Sequence, residues 1–127
     1  MVANDDNPMI ENLRTLLDHK TSDKGIIIKS LRESKRNILV IAGNNASATL
    51  HAAYRYAEHL GVFFDLAEDV IPDNKISLDI TGFDEAGIPN FEIRGIQPYH
   101  DFPSGPDLWS TSDYLYFISQ LSKMGMN

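Results

Sequence analysis

Two apolar, β-branched runs separated only by polar residues restrict this chain more than any other feature. Gly25-Ile-Ile-Ile-Lys-Ser-Leu31 and Ile38-Leu-Val-Ile-Ala42 flank Arg32-Glu-Ser-Lys-Arg-Asn37. Branching at Cβ restricts side-chain rotation and favours the pleated backbone, so each run predicts a strand, and the short polar connection predicts a hairpin. A hairpin alone is marginal in water, so the rest of the chain must supply cover for its apolar faces.

That cover begins immediately after the second strand. Gly43-Asn44-Asn45 ends it, and Asn45 or Ser47 can cap a helix carrying Leu50, Ala53, Tyr54, Ala57 and Leu60 along one face, with Gly61 closing the last turn. Small alanines on that stripe let a helix lie close to a sheet, and His51, Arg55, Glu58 and His59 fall on or near the other side. Upstream, Met1 to Asp6 is a polar leader. Asn7 and Pro8 then suit a helix start, and Met9, Leu13, Leu16 and Leu17 give an apolar stripe for a helix from Pro8 to His19. Downstream, Val62-Phe63-Phe64 predicts a short strand, Ala67 to Pro72 a turn leading outward, and the alternating Lys75-Ile-Ser-Leu-Asp-Ile80 a half-buried strand.

Thr81 to Asn90 holds Gly82, Gly87 and Pro89 without an apolar period, which predicts a linker between residues 1–80, a small α/β unit, and residues 91–127. The second part reads as strand (Phe91 to Ile96), irregular loop (Pro98 to Pro106) and helix. Ser110-Thr-Ser-Asp113 forms a capping box ahead of Tyr114, Phe117, Ile118, Leu121 and Met124. Strand, long loop, helix is the repeating unit of a (β/α)8 barrel. One unit cannot bury both faces of its strand, so the sequence is expected to be a piece of a longer protein whose barrel continues beyond Asn127. The fold class expected is α/β, of the α+β type: a small mixed or antiparallel sheet with helices on one face, then the first unit of a truncated barrel.

Composition removes several function classes. With 18 acidic against 11 basic residues and a formal charge of −7, the chain lacks the basic face that phosphate-backbone partners require. The absence of cysteine excludes disulfides, thiolate metal sites and a cysteine nucleophile. His51 and His59 have no zinc spacing and are expected to face solvent; no metal or cofactor is expected. A dinucleotide turn after Ile38 to Ala42 would need three glycines where this sequence has one. No run reaches the ~20 apolar residues of a membrane span.

Gln97-Pro98-Tyr99-His100-Asp101 is the densest polar cluster, placed just after a predicted strand, where barrel active sites are built. His100 and Asp101 suit a sugar hydroxyl, and Tyr99, Phe102 and Trp109 supply aromatic faces around them. Tyr99, His100, Asp101 and Trp109 are therefore the candidate substrate-binding residues. Glycoside cleavage needs two carboxylates roughly 5–10 Å apart, and Asp101 and Asp107 are the only rim candidates, so the catalytic pair is expected on strands outside this sequence.

Ile38-Leu-Val-Ile-Ala-Gly43, the helix through Ala53-Tyr54 to Leu60-Gly61-Val62, and Phe91-Glu-Ile-Arg94-Gly95 ahead of a barrel-like unit together resemble the N-terminal α/β domain and first barrel unit of family 20 and family 67 glycoside hydrolases, the β-hexosaminidase and α-glucuronidase types. The resemblance implies a non-catalytic domain preceding a catalytic barrel of the same polypeptide, a carbohydrate substrate, and a periplasmic or extracellular location. Val70-Ile71-Pro72 looks like the proline-ended strand that follows the helix in that family. Where the hexosaminidase branch continues from Arg-Gly to a sugar-gripping arginine, this chain reads Tyr99-His100-Asp101-Phe102, and the His-Asp pair is closer to the α-glucuronidase pattern, which implies a uronic-acid or related plant-polysaccharide substrate. The rival expectation is a stand-alone carbohydrate-binding or protein-interaction module with Tyr99, Phe102 and Trp109 as an exposed platform.

Overall fold

The computed structural model describes residues 2–4, 25–99 and 105–127. Strands β1 (Val2–Asn4), β2 (Ile26–Glu33), β3 (Arg36–Gly43) and β6 (Asp84–Gly87) form one mixed sheet in the order β1-β3-β2-β6. Helix α1 (Ala46–His59) lies on it, β4 (Phe63–Phe64) and β5 (Asp69–Val70) make a separate two-stranded ladder, and α2 (Thr111–Lys123) follows a 3-10 turn at Pro106–Leu108. The helix expected from Pro8 to His19 lies outside the described residues.

The hairpin forms as its sequence requires. β2 and β3 pair antiparallel from Ile26↔Gly43 to Glu33↔Arg36, leaving Ser34 and Lys35 as a two-residue turn. Ser34 has φ 56, the positive value that primed hairpin turns need at their first central position and that a non-glycine residue adopts at a cost. Because side chains alternate, Ile28, Leu39 and Ile41 point to one face, where they meet Ala52 of α1 and form the core with partly buried Ile26, Tyr56, Ile80 and Phe83. Ile27, Val40 and Ala42 alternate with them and are buried too, so both faces of the hairpin are covered.

Helix α1 is capped as expected: the Asn45 side chain accepts a hydrogen bond from the Ala48 amide (2.8 Å), and Gly61 adopts φ 92 just beyond the end. Its buried line, however, is Ala48 and Ala52, not the predicted stripe, and Leu50 stays exposed. Two small residues win the sheet-facing position because the helix crosses directly over Gly43. A Cβ there would sit 2.3 Å from the backbone of Ala48 and Thr49. Tyr54, from the predicted stripe, packs edge-on against Phe64 of the small ladder instead (5.3 Å between ring centres).

Five other expectations are corrected. The polar leader contains β1, which pairs parallel with β3. Asp69–Val70, expected in a turn, pairs antiparallel with Phe63–Phe64. Lys75 to Ile80 is not a strand and is mostly exposed. The free edge of β2 is instead taken by Asp84–Gly87, from the stretch expected to be a linker, in the register Ile26↔Gly87 to Lys29↔Asp84. Ser30 decides the choice: its amide donates to the Phe83 carbonyl (2.7 Å), and its hydroxyl donates to the Ile80 carbonyl (2.7 Å) while accepting from the Phe83 amide (2.9 Å). A Lys29–Asp84 ion pair adds to it. Phe91 to Ile96, expected as the first barrel strand, has no ladder partner among the described residues.

Helix α2 begins where predicted, with both halves of the Ser110–Asp113 capping box made. Its apolar stripe is not the buried side. Tyr114, Ile118 and Met124 are exposed and Phe117 and Leu121 half-buried, whereas Gln120 is buried. Its Nε2 donates to the Tyr116 hydroxyl (2.9 Å) and its Oε1 has no partner.

Candidate functional site

Of the four residues singled out in the sequence, Tyr99 stands 82% exposed in a segment of irregular backbone. Trp109 closes the 3-10 turn and is half-buried, its ring 5.0 Å from Phe117 and 5.4 Å from Tyr114. Tyr114 donates its hydroxyl hydrogen to the Pro106 carbonyl (2.8 Å), fixing that turn to α2. His100 and Asp101 lie outside the described residues. Asp107, the other rim carboxylate, is exposed at the start of the same turn.

A concavity with a charged rim lies elsewhere. A groove of about 290 Å³ opens between α1, the start of β2, the segment after β6 and the end of α2. Ile26, Ile88, Pro89 and Met124 contribute apolar wall, and His51, Arg55, Glu58, Arg94 and Lys123 the polar rim. Helical spacing explains part of this: residues 51, 55 and 58 recur at intervals of four and three and so share one side of α1. Those positions were legible in the sequence as a polar helix face. Their convergence with Glu85 and Arg94 was not, because it depends on the placement of β6 and of the chain end.

Charges in this region are largely paired. Glu85 accepts from Arg55 Nε (2.9 Å) and contacts His59 Nε2 (2.6 Å), and Arg55 Nη1 reaches Glu58 (3.0 Å). Burial disfavours the Glu85 carboxylate, but the bonds from His59 and Arg55 more than offset this and hold its pKa below the usual carboxylate value. The same bonds, from Glu85 first and then Glu58, raise Arg55. His51 is lowered, chiefly by burial and next by the positive charge of Arg94. His51 is thus half-buried rather than turned to solvent as expected, whereas His59 is exposed, as expected. Lys123 pairs with Asp69 of the small ladder, tying α2 to β5.

Arg94 holds the chain end in place. Its Nε donates to the Gly125 carbonyl (2.7 Å) and its Nη1 to the Phe91 carbonyl (2.9 Å). Asn127 donates its amide to the Arg94 carbonyl (3.0 Å) and its Nδ2 to the Glu92 carbonyl (3.0 Å), and its Oδ1 accepts from the Arg94 amide (3.0 Å). Glu58 and Glu85 are both engaged by Arg55, so neither carboxylate of this cluster is free of a cationic partner. Among the described residues no group of three His, Cys, Asp or Glu side chains could hold a metal ion, and no helix is long and apolar enough to cross a membrane. Compared with family models, curated proteins and solved structures, the chain matches none.

Proposed function

We propose that this chain is the non-catalytic N-terminal α/β portion of an exported carbohydrate-active glycoside hydrolase, together with the first strand-and-helix unit of its catalytic barrel. Its role is to support that barrel and shape one wall of the sugar site. The packing of α2 carries the reading. A helix that buries Gln120 with an unpartnered oxygen while leaving Leu115 and Ile118 exposed presents an apolar side that no described residue covers, which suits a helix made to pack against a further part of a barrel. Phe91 (72% exposed) and Ile93 (86%) are in the same condition, as a barrel strand without flanking strands would be. A stand-alone sugar platform is less well supported, since Trp109 spends its ring on Tyr114 and Phe117.

The test compares this chain with a polypeptide extended past Asn127 from the same gene, on a panel of nitrophenyl glycosides and glycosiduronic acids. Hydrolysis by the extended polypeptide alone is expected, with uronic-acid substrates favoured. Activity of the 127-residue chain, or inactivity of both, overturns the proposal.

A further inference from the structure

We propose that the groove between α1, the start of β2 and the end of α2 binds a small organic carboxylate, its charged end on Arg94 and its body against Ile26, Ile88 and Met124. Neither Tyr99 nor Trp109 lines this groove, so it is a site beyond the glycosidase reading and independent of it.

Arg94 is the basis. The cations lining the groove are Arg55, Arg94 and Lys123, and two of them are neutralised: Arg55 by Glu58 and Glu85, Lys123 by Asp69. Half-buried Arg94 bonds only the main-chain carbonyls of Gly125 and Phe91. In a chain with 18 acidic side chains, it has no carboxylate partner among the described residues. A partly desolvated guanidinium without a counter-ion attracts an anion more strongly than one in open water. Burial first, and then the charge of Arg94, lower the pKa of neighbouring His51, so that ring adds no second positive charge at neutral pH.

Geometry selects the anion. A guanidinium has five N–H groups, and Arg94 spends one on Nε and one on Nη1. Its outer edge keeps N–H groups on both Nη1 and Nη2, spaced for the two oxygens of one carboxylate. One uncompensated charge matches a monoanion. A phosphate dianion would bring a second charge towards Glu58 with no second unpaired cation to receive it.

The walls describe the rest of the ligand. At about 290 Å³ the groove has room for a six-membered ring, and Ile88 (57% exposed) and Met124 (37%) leave apolar surface for one face of it. His51 and Glu58 on the rim can bond hydroxyls, so the ring can be hydrocarbon or hydroxylated. A second hollow of about 80 Å³ shares His51 and Arg94 with the groove and is bordered by Ser47 and Ala48 of α1.

The experiment is isothermal titration calorimetry of the intact protein with cyclohexanecarboxylate and with glucuronate, each beside an uncharged counterpart, cyclohexylmethanol and glucose. At least one acid is expected to bind with a Kd of about 1 mM or tighter, and its counterpart at least about tenfold more weakly. The tighter acid shows whether the body is hydrocarbon or sugar-like. Because Arg94 also fastens the chain end, Arg94→Gln can lose binding through misfolding, and Ser47→Asp is the better variant. It places a tethered carboxylate in the hollow that Arg94 borders, and an acid in the first turn of α1, where it favours the helix. Ser47→Asp is expected to stay folded by circular dichroism and to bind the acid at least about tenfold more weakly. Lys35→Gln, an equal change in net charge at the exposed hairpin turn, is expected to leave binding unchanged. The proposal is overturned by an uncharged ring that binds as tightly as its acid, or by inorganic phosphate that binds more tightly than either acid. Absence of saturation by both acids up to about 20 mM, or undiminished binding by folded Ser47→Asp, overturns it equally. Glycoside hydrolysis is not among the readouts, so either result leaves the glycosidase reading to its own test.

Discussion

Replacing Gly43 with alanine should unfold this protein more readily than its single added methyl suggests. The new Cβ would lie 2.3 Å from the Ala48 carbonyl carbon and the Thr49 amide nitrogen, against the 3.4–4 Å of ordinary contact. Both obstacles are backbone atoms, so no side chain can swing away. The start of α1 must rise by about 1 Å, uncovering Ala48 and loosening Ala52 from Ile28, Leu39 and Ile41. Overfilled cores lose about 1–3 kcal/mol, and a backbone obstacle places this case near ~3 kcal/mol. The gain from restricting the unfolded chain, at most ~1 kcal/mol, does not reverse the sign. With a urea dependence of about 2 kcal/mol per molar, the unfolding midpoint should fall by roughly 1.5 M, read by circular dichroism. Gly95→Ala is the control, because nothing lies within 4 Å of its added Cβ, and it should stay within about 0.5 kcal/mol of the parent. A Gly43→Ala midpoint indistinguishable from that control would refute the close helix-on-strand approach.

Acidity gives a second check. The native pKa of His51 lies below its ordinary value, so the unfolded chain binds more protons and stability should decline as pH falls from about 6.5 towards the native pKa. His51→Gln should flatten that part of a melting-temperature profile, and an unchanged slope would count against the burial of His51. Glu85→Gln removes the negative charge shared by Arg55 and His59 and should cost about 1 kcal/mol at low salt, less at high salt, in the same urea assay. Ser34→Gly relieves the positive φ of the hairpin turn and should raise the melting temperature by the equivalent of up to ~1 kcal/mol, after the greater freedom of glycine in the unfolded chain is deducted. A fall instead would mean that the turn needs the Ser34 side chain.

Legibility of the candidate site was uneven. The sequence offered Tyr99 and Trp109 as a pair of aromatic faces, but Trp109 sits against its own helix because Tyr114 and Phe117 come within one and two turns of it. The groove drew on residues 26, 51–58, 94 and 123, which are distant in sequence, and only His51, Arg55 and Glu58 were recognisable beforehand as a shared helix face. The ion pairs of Glu85 had no sequence signal, because residues 84–87 carry neither an apolar alternation nor a strand-favouring composition.

What the sequence by itself determined were structures whose partners lie within a few residues: the β2–β3 hairpin, the Asn45 cap and Gly61 close of α1, and the Ser110–Asp113 box of α2. Their hydrogen bonds are local, so residue type and spacing suffice. Tertiary structure alone decided which strand took the edge of β2, and which sides of α1 and α2 were buried. Lys75 to Ile80 has the alternation of a strand, yet alternation only permits pairing. Ser30 and Lys29 bind the segment from Ile80 to Asp84, and that places β6. Likewise, the close approach at Gly43 admits Ala48 and Ala52 to the sheet in preference to the bulkier Leu50 and Tyr54. Burial is a contest between surfaces that meet only after folding, and periodicity along one element records only what that element can offer.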